Sequence, residues 1–133
     1  IKSSAKKSLS APLMANKKIL IAEDNAINQV VIQTMLEDTM ASITMVDNGK
    51  QAVDAVQKED FDLILMDIHM PEMDGVQAHR QISAMKKHIP VIALTANVMP
   101  EDVAYYLEEG FDSHLGKPID MNQLFGMLKQ YNR

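Results

Sequence analysis

The chain has 133 residues, 47% of them hydrophobic, which suits one domain with a single well-filled core. It holds no cysteine, which excludes a disulfide scaffold and any thiolate metal site and fits a reducing compartment, and no apolar run approaches the roughly 18 residues of a membrane span. The net charge of −5 conceals an asymmetry: Lys2, Lys6, Lys7, Lys17 and Lys18 stand without an acid, and the remainder sets eight basic against eighteen acidic residues, a balance of −10 that argues against nucleic-acid or membrane contact by the body.

Residues 1–17, rich in Ser, Ala and Lys without apolar periodicity, read as a flexible linker ahead of a domain spanning 18–133. A lysine-bearing nucleic-acid arm is the other reading of that stretch. The start at Ile fits a piece of a longer protein. From Lys18 onward, apolar runs and helix-period segments alternate. "KILIA" (18–22) is strand-like, and residues 26–38 place Ile27, Val30, Val31 and Met35 on one helical face. "ASITMV" (41–46) alternates as an edge strand would. "DNGKQAVDAVQKE" is a turn and a helix with Ala52, Val53 and Val56 inward. "DLILM" (62–66) is a fully apolar strand. A helix from Gly75 to Lys86 buries Val76 and Ile82, with Met85 beside them, and Asp74-Gly75 opens it after a turn. "PVIAL" (90–94) is another buried strand. Residues 99–109 make a short helix, with Pro100 in its first turn and Gly110 as its stop. "SHL" (113–115) is a weak last strand. Asp120 and Gln123 resemble a capping box before a helix with Met121, Leu124, Leu128 and Tyr131 on its core side. Five βα units with three wholly apolar strands predict an open parallel sheet covered on both faces.

The residue after each buried strand is polar. "ILIA" runs into Glu23-Asp24, "LILM" into Asp67, "VIAL" into Thr95 and "SHLG" into Lys117. Parallel strands point one way, so these side chains share the carboxyl edge, where doubly wound folds bind ligands. Two carboxylates about 4 Å apart repel by roughly 4 kcal/mol at an effective dielectric of about 20, so three of them call for a cation. Oxygen donors with room for water favour Mg²⁺ over zinc. Thr95 and Lys117 suit an anion with several oxygens, such as a phosphoryl group. Asp67 is then a metal ligand, a nucleophile forming an acyl phosphate, or both, one role on each oxygen.

"LIAEDN", "LILMDIHMPEMDG", "ALTAN" and "GKPI", in this order and spacing, resemble the receiver domain of two-component response regulators across residues 18–131. The resemblance implies an α/β, flavodoxin-like (βα)5 doubly wound sheet of strand order 2-1-3-4-5. It implies that Asp67 accepts a phosphoryl group from a partner's phosphohistidine, with Thr95 and Lys117 contacting that group. Glu23, Asp24, Asp67 and the backbone carbonyl of His69 would hold Mg²⁺, the Lys117–Pro118 bond would be cis, and the domain would catalyse its own phosphorylation and hydrolysis. "EDNAINQVV" is similar to receivers fused to hybrid sensor histidine kinases. Ile27, Asn28, Val31 and Pro118 would then dock onto a kinase dimerisation domain or a histidine phosphotransfer domain in the cytoplasm. A stand-alone or truncated regulator is the alternative.

One position departs from the family pattern. Three residues before the lysine, where a Tyr or Phe coupled to the threonine is usual, this chain has His114. The switch pair Thr95–His114 is therefore expected to be weak, while phosphoacceptance remains. His69 and Asn97, each two residues after a site residue, could tune hydrolysis, Asn97 equally opening a helix. His79 and His88 read as surface residues, and the methionines as core or loop filler. Glu101-Asp102 and Glu108-Glu109 read as solvated helix ends. A phosphatase with an aspartyl-phosphate intermediate would carry an acid where His69 stands, and a pseudo-receiver would lack an acid or the lysine.

Overall fold

A computed structural model describes residues 11–131. The elements run β1 (Lys18–Ala22), α1 (Ala26–Leu36), β2 (Ser42–Val46), α2 (Gly49–Lys58), β3 (Leu63–Asp67), α3 (Gly75–Ala84), β4 (Val91–Thr95), α4 (Pro100–Glu108), β5 (Ser113–Gly116) and α5 (Met121–Tyr131). All strand pairs are parallel, and the sheet order is β2-β1-β3-β4-β5, the flavodoxin-like order expected.

Side-chain alternation divides the strands between two cores. Leu20, Ala22, Ile64, Met66, Val91 and Ala93 pack with α2, α3 and the pair Tyr106 and Phe111. Ile19, Ile21, Leu63, Leu65, Ile92 and Leu94 pack with α1 and α5 through Ile32, Leu36, Leu124 and Leu128. Every residue of β3 and β4 is buried. At about 1.5–3 kcal/mol per buried large aliphatic side chain, these central strands are firmly anchored, and so are the residues at their ends.

Short polar side chains start most helices. Asn25, Asn48 and Asp74 accept from the N–H groups of Asn28, Gln51 and Gln77 at 3.0, 2.8 and 2.9 Å. Asp120 accepts from Asn122 and Gln123 at 2.7 and 3.2 Å. Each such cap contributes about 1 kcal/mol. α4 instead begins on Pro100 with no side-chain cap, and Gly110, at φ 101°, ends it in a conformation that favours glycine.

Several expectations are corrected. The helix expected over 26–38 ends at Leu36 and gives way to a 3₁₀ turn, Glu37–Thr39. Its Ile27 and Val30 are 73% and 64% exposed and Val31 is 40% exposed, whereas Ile32 and Leu36 are buried. The helix has two apolar stripes, and the sheet covers the one that also holds Met35. In α5, Met121 is exposed, while Phe125 and Met127 join Leu124 and Leu128 in the core. His79 is not a surface residue. It falls on the helical stripe between Val76 and Ile82, is 4% exposed, and stacks on Phe111 with ring centroids 4.4 Å apart. Burial holds its imidazole below the usual pKa, against the pull of Asp112 and Glu109. The stretch read as linker reaches the body at Met14, which is 2% exposed and donates its N–H to the Thr39 carbonyl at 2.7 Å. Residues 1–10 of that stretch lie outside the described residues.

Candidate functional site

The chain leaves β1 for β2 on one side and then crosses to β3 on the other, so the order reverses over β1 and β3. The register fixes what meets there. Ala22 pairs with Met66, which sets Glu23 level with Asp67. Asp67 pairs with Leu94, one residue before Thr95, and Thr95 pairs with Gly116, one residue before Lys117. Asp24 is exposed at the rim, while Glu23, Asp67 and Thr95 are buried.

Lys117 joins the acids. Its Nζ donates to Asp67 Oδ2 at 2.8 Å and lies 2.9 Å from Glu23 Oε1, and its N–H donates to the Thr95 carbonyl at 2.8 Å. The Lys117–Pro118 bond is cis. The other Asp67 oxygen, Oδ1, accepts from the His69 N–H at 3.1 Å. Glu23 Oε2 accepts from the Asn25 N–H at 3.0 Å. Glu23 Oε1 has the lysine charge close by but out of line for a hydrogen bond, so this buried oxygen has no aligned donor among the described residues. Among the described residues, Glu23, Asp24 and Asp67 form the one cluster of three metal-ligating side chains, with one oxygen of each lying within 4.8 Å of the others. Buried hard donors with an open lone pair fit a divalent cation that prefers oxygen.

The electrostatics are strained in one place. Burial, together with the charge of Glu23, pushes Asp67 up to about 6 despite the lysine. Burial also works against ionised Glu23, but Lys117 and the Asn25 N–H prevail and hold it below its usual value. Lys117 is desolvated too, yet its two carboxylate partners raise its pKa.

Thr95 is held differently from the expected switch. Its Oγ1 accepts from the Asn97 N–H at 2.9 Å and lies 2.8 Å from the Tyr106 hydroxyl. Tyr106 in turn donates to the Asn97 carbonyl at 3.1 Å. His114 sits half-buried on β5 opposite Ala93, and its ring makes no hydrogen bond among the described residues. Asn97 does not start α4; its side-chain N–H donates to His69 Nε2 at 3.2 Å across the mouth of the site.

The residues expected to dock a partner share one rim. Asn28, Val31, Ile32, Lys117, Pro118 and Ile119 line a cleft of about 100 Å³ with Glu23, and Ile27 stands exposed one helical turn from Val31.

Sequence reasoning missed Tyr106, whose signal was a Tyr where the helix meets the sheet, since a buried phenol needs a partner. It also missed why residue 75 is glycine. A Cβ there would run into the Asp67 carbonyl, while the Gly75 N–H donates to the Ile68 carbonyl at 2.9 Å, drawing the loop tight beneath the acid.

Comparison with known proteins agrees with this geometry. The family described as response regulator receiver domain matches residues 19–129. A probable histidine kinase 1 of Oryza sativa subsp. indica is 38% identical over 98% of this chain and 17% of its own length. The sensor protein GacS of Pseudomonas syringae pv. syringae is 43% identical over 80% of this chain and 12% of its own. The chain therefore spans under a fifth of these curated relatives. Among solved structures, the receiver domain of the sensor histidine kinase PA1611 from Pseudomonas aeruginosa PAO1, with magnesium in its active-site cleft, is 38% identical at a TM-score of 0.79, covering 86% of this chain and 96% of that one. The Saccharomyces cerevisiae receiver domain of Ssk1, crystallised with the histidine phosphotransfer protein Ypd1, matches at a TM-score of 0.83 and 27% identity over 92% of this chain and 90% of that chain. The chain belongs to the response regulator receiver domain family.

Proposed function

We propose that Asp67 of this phosphorelay receiver takes a phosphoryl group from a partner's phosphohistidine. A carboxylate oxygen attacks phosphorus, the P–N bond breaks with its electron pair going to nitrogen, and the imidazole leaves as a neutral ring that keeps the proton already on its other nitrogen. The carrying observation is the buried Asp67 with Lys117 on one oxygen and the His69 N–H on the other, beside two more acids. Lys117 is within reach of the new phosphoryl charge, and the Thr95 hydroxyl stands one register step away.

Glu23, Asp24, Asp67 and the His69 carbonyl would hold Mg²⁺, which supplies charge neutralisation for the phosphoryl oxygens. The magnesium in the PA1611 receiver and the open oxygen of Glu23 support that choice of ion. The exposed apolar residues Ile27 and Val31, with Asn28 and Pro118, form the surface for a histidine-bearing helical bundle of a kinase dimerisation domain or a phosphotransfer domain. Similarity to histidine kinases and to a receiver crystallised with a phosphotransfer protein supports that partner class and a hybrid kinase as the parent. No described helix is long and apolar enough to cross a membrane. Similarity to histidine kinases supports the cytoplasm as the domain's place.

Incubation with Mg²⁺ and acetyl phosphate, followed by intact-protein mass measurement, tests the chemistry. One added phosphoryl group is expected, absent in Asp67→Asn and absent with a chelator. Transfer from a phosphorylated histidine phosphotransfer domain tests the surface. Ile27→Ser is expected to weaken it about tenfold, the equivalent of about 1.4 kcal/mol at an apolar anchor. Unchanged transfer would move docking elsewhere.

A further inference from the structure

Tyr106 is the one buried residue of α4, 4% exposed. Its ring meets Phe111 edge-on with centroids 6.3 Å apart, and its hydroxyl reaches the end of β4. α4 lacks a side-chain cap, so this phenol is the helix's main peg into the body. The next residues outward are apolar and exposed: Tyr105 at 44%, Leu107 at 55% and, before the helix, Met99 at 59%.

The protons at this peg can be assigned. A carbonyl oxygen only accepts, so the Tyr106 proton goes to the Asn97 carbonyl at 3.1 Å. With the Tyr106 proton placed there, the short 2.8 Å contact with Thr95 Oγ1, which also accepts from the Asn97 N–H, is filled by the threonine's own proton. In this state the Thr95 hydroxyl has no proton for a ligand. Phosphoryl oxygens also only accept. A phosphoryl group on Asp67 that bonds Thr95 must therefore take the proton now given to Tyr106, leaving that buried phenol with one bond instead of two.

We propose that Tyr106, reaching Thr95 from α4, is the positioning residue that couples the state of Asp67 to the exposed face of α4. The inference rests on the reading of Asp67 as phosphoacceptor and deepens it. The ring of His114, on β5, has no hydrogen bond among the described residues through which to do the same. The coupling therefore runs from the end of β4 to the helix that follows it, and it changes how Tyr105 and Leu107 are presented.

The test uses the isotope-labelled 133-residue chain with Mg²⁺ and beryllofluoride, which mimics an acyl phosphate, and reads amide resonances. In the unsubstituted chain, signals of Ile68, His69 and Asn97 are expected to shift together with those of α4. Tyr106→Phe keeps the ring against Phe111 and removes only the hydroxyl. Its site-edge amides are expected to shift as before, while the α4 response is lost. Thr95→Ser, which keeps the hydroxyl, is expected to retain the α4 response, and Thr95→Val to lose it; this pair decides the matter if Tyr106→Phe folds poorly. An α4 response in Tyr106→Phe equal to that of the unsubstituted chain overturns the proposal alone, as does a silent α4 in the unsubstituted chain whose site edge responds. Absence of any site-edge response, with no phosphoryl uptake by mass, overturns the phosphoacceptor reading and the proposal together.

Discussion

Strand β3 has an aspartate at each end, and the fold treats the two in opposite ways. Asp62, just before Leu63, is exposed, accepts from the Lys18 N–H at 2.8 Å and gives its own N–H to the Lys18 carbonyl at 2.8 Å. Asp112 repeats the device before β5, exchanging hydrogen bonds with the Val91 N–H and carbonyl at 2.9 Å each. At the amino edge, carboxylates thus close strand starts in water, at little electrostatic cost. Asp67, at the carboxyl edge, is 2% exposed and faces Glu23 with one lysine between two acids. The contrast teaches that the same residue type serves architecture where water and a backbone N–H solvate its charge, and chemistry where burial strips that solvation away.

Exchanging the two aspartates for their amides separates the ends most sharply. Asp67→Asn is expected to abolish phosphoryl uptake, and Asp62→Asn to leave it intact, both read by intact mass with acetyl phosphate. Uptake lost in both would mean that the amino edge matters to the chemistry and would erase the contrast. The next effect is on stability. Asp67 rises from the ordinary 3.8 to about 6, so the folded chain binds this proton more tightly than the unfolded chain. Its contribution is therefore most favourable below about 3.8 and is lost as the pH rises through about 6. The rise is worth up to about 3 kcal/mol, and about 2 kcal/mol once water entering past the exposed Asp24 screens the site. In metal-free buffer, Asp67→Asn is expected to be the more stable protein by that amount at pH 7.5, with the advantage fading toward pH 4. Urea unfolding across this range measures it; a less stable variant at pH 7.5 would show that Lys117 outweighs burial.

Those strand ends were legible because continuous apolar runs stop at a charge. "LILM" followed by Asp67 and "VIAL" followed by Thr95 leave no choice about where the strand ends or which edge the polar group joins. Direction within helices was harder. α1 has apolar residues on two stripes, and only the sheet decides that Ile32 rather than Ile27 is covered. His79 is buried because its place between Val76 and Ile82 on the helical stripe outweighs the polar character of its ring. Tyr106 could not be tied to Thr95 by spacing, since they lie on different elements and meet only when α4 folds back beside β4. The closeness of Gly75 to the Asp67 carbonyl is a distance in space that no run of letters states.

The smallest effects lie at the amino edge and test whether it is as undemanding as the contrast claims. Asp62→Ala removes the acceptor of an exposed backbone N–H, which water can replace, so a loss of about 1 kcal/mol is expected from urea unfolding at pH 7. Next to it, Lys18 and Glu59 pair at 2.6 Å with both side chains more than 40% exposed. A pair so open to water contributes about 0.5 kcal/mol or less, because two long side chains lose freedom and salt screens what they gain. Glu59→Gln is therefore expected to shift the urea midpoint barely, and less still in about 1 M salt, where charges interact over only about 3 Å. A salt-independent loss of several kcal/mol would place a dry, strained ion pair at this edge too, and the two ends of the sheet would no longer differ in kind.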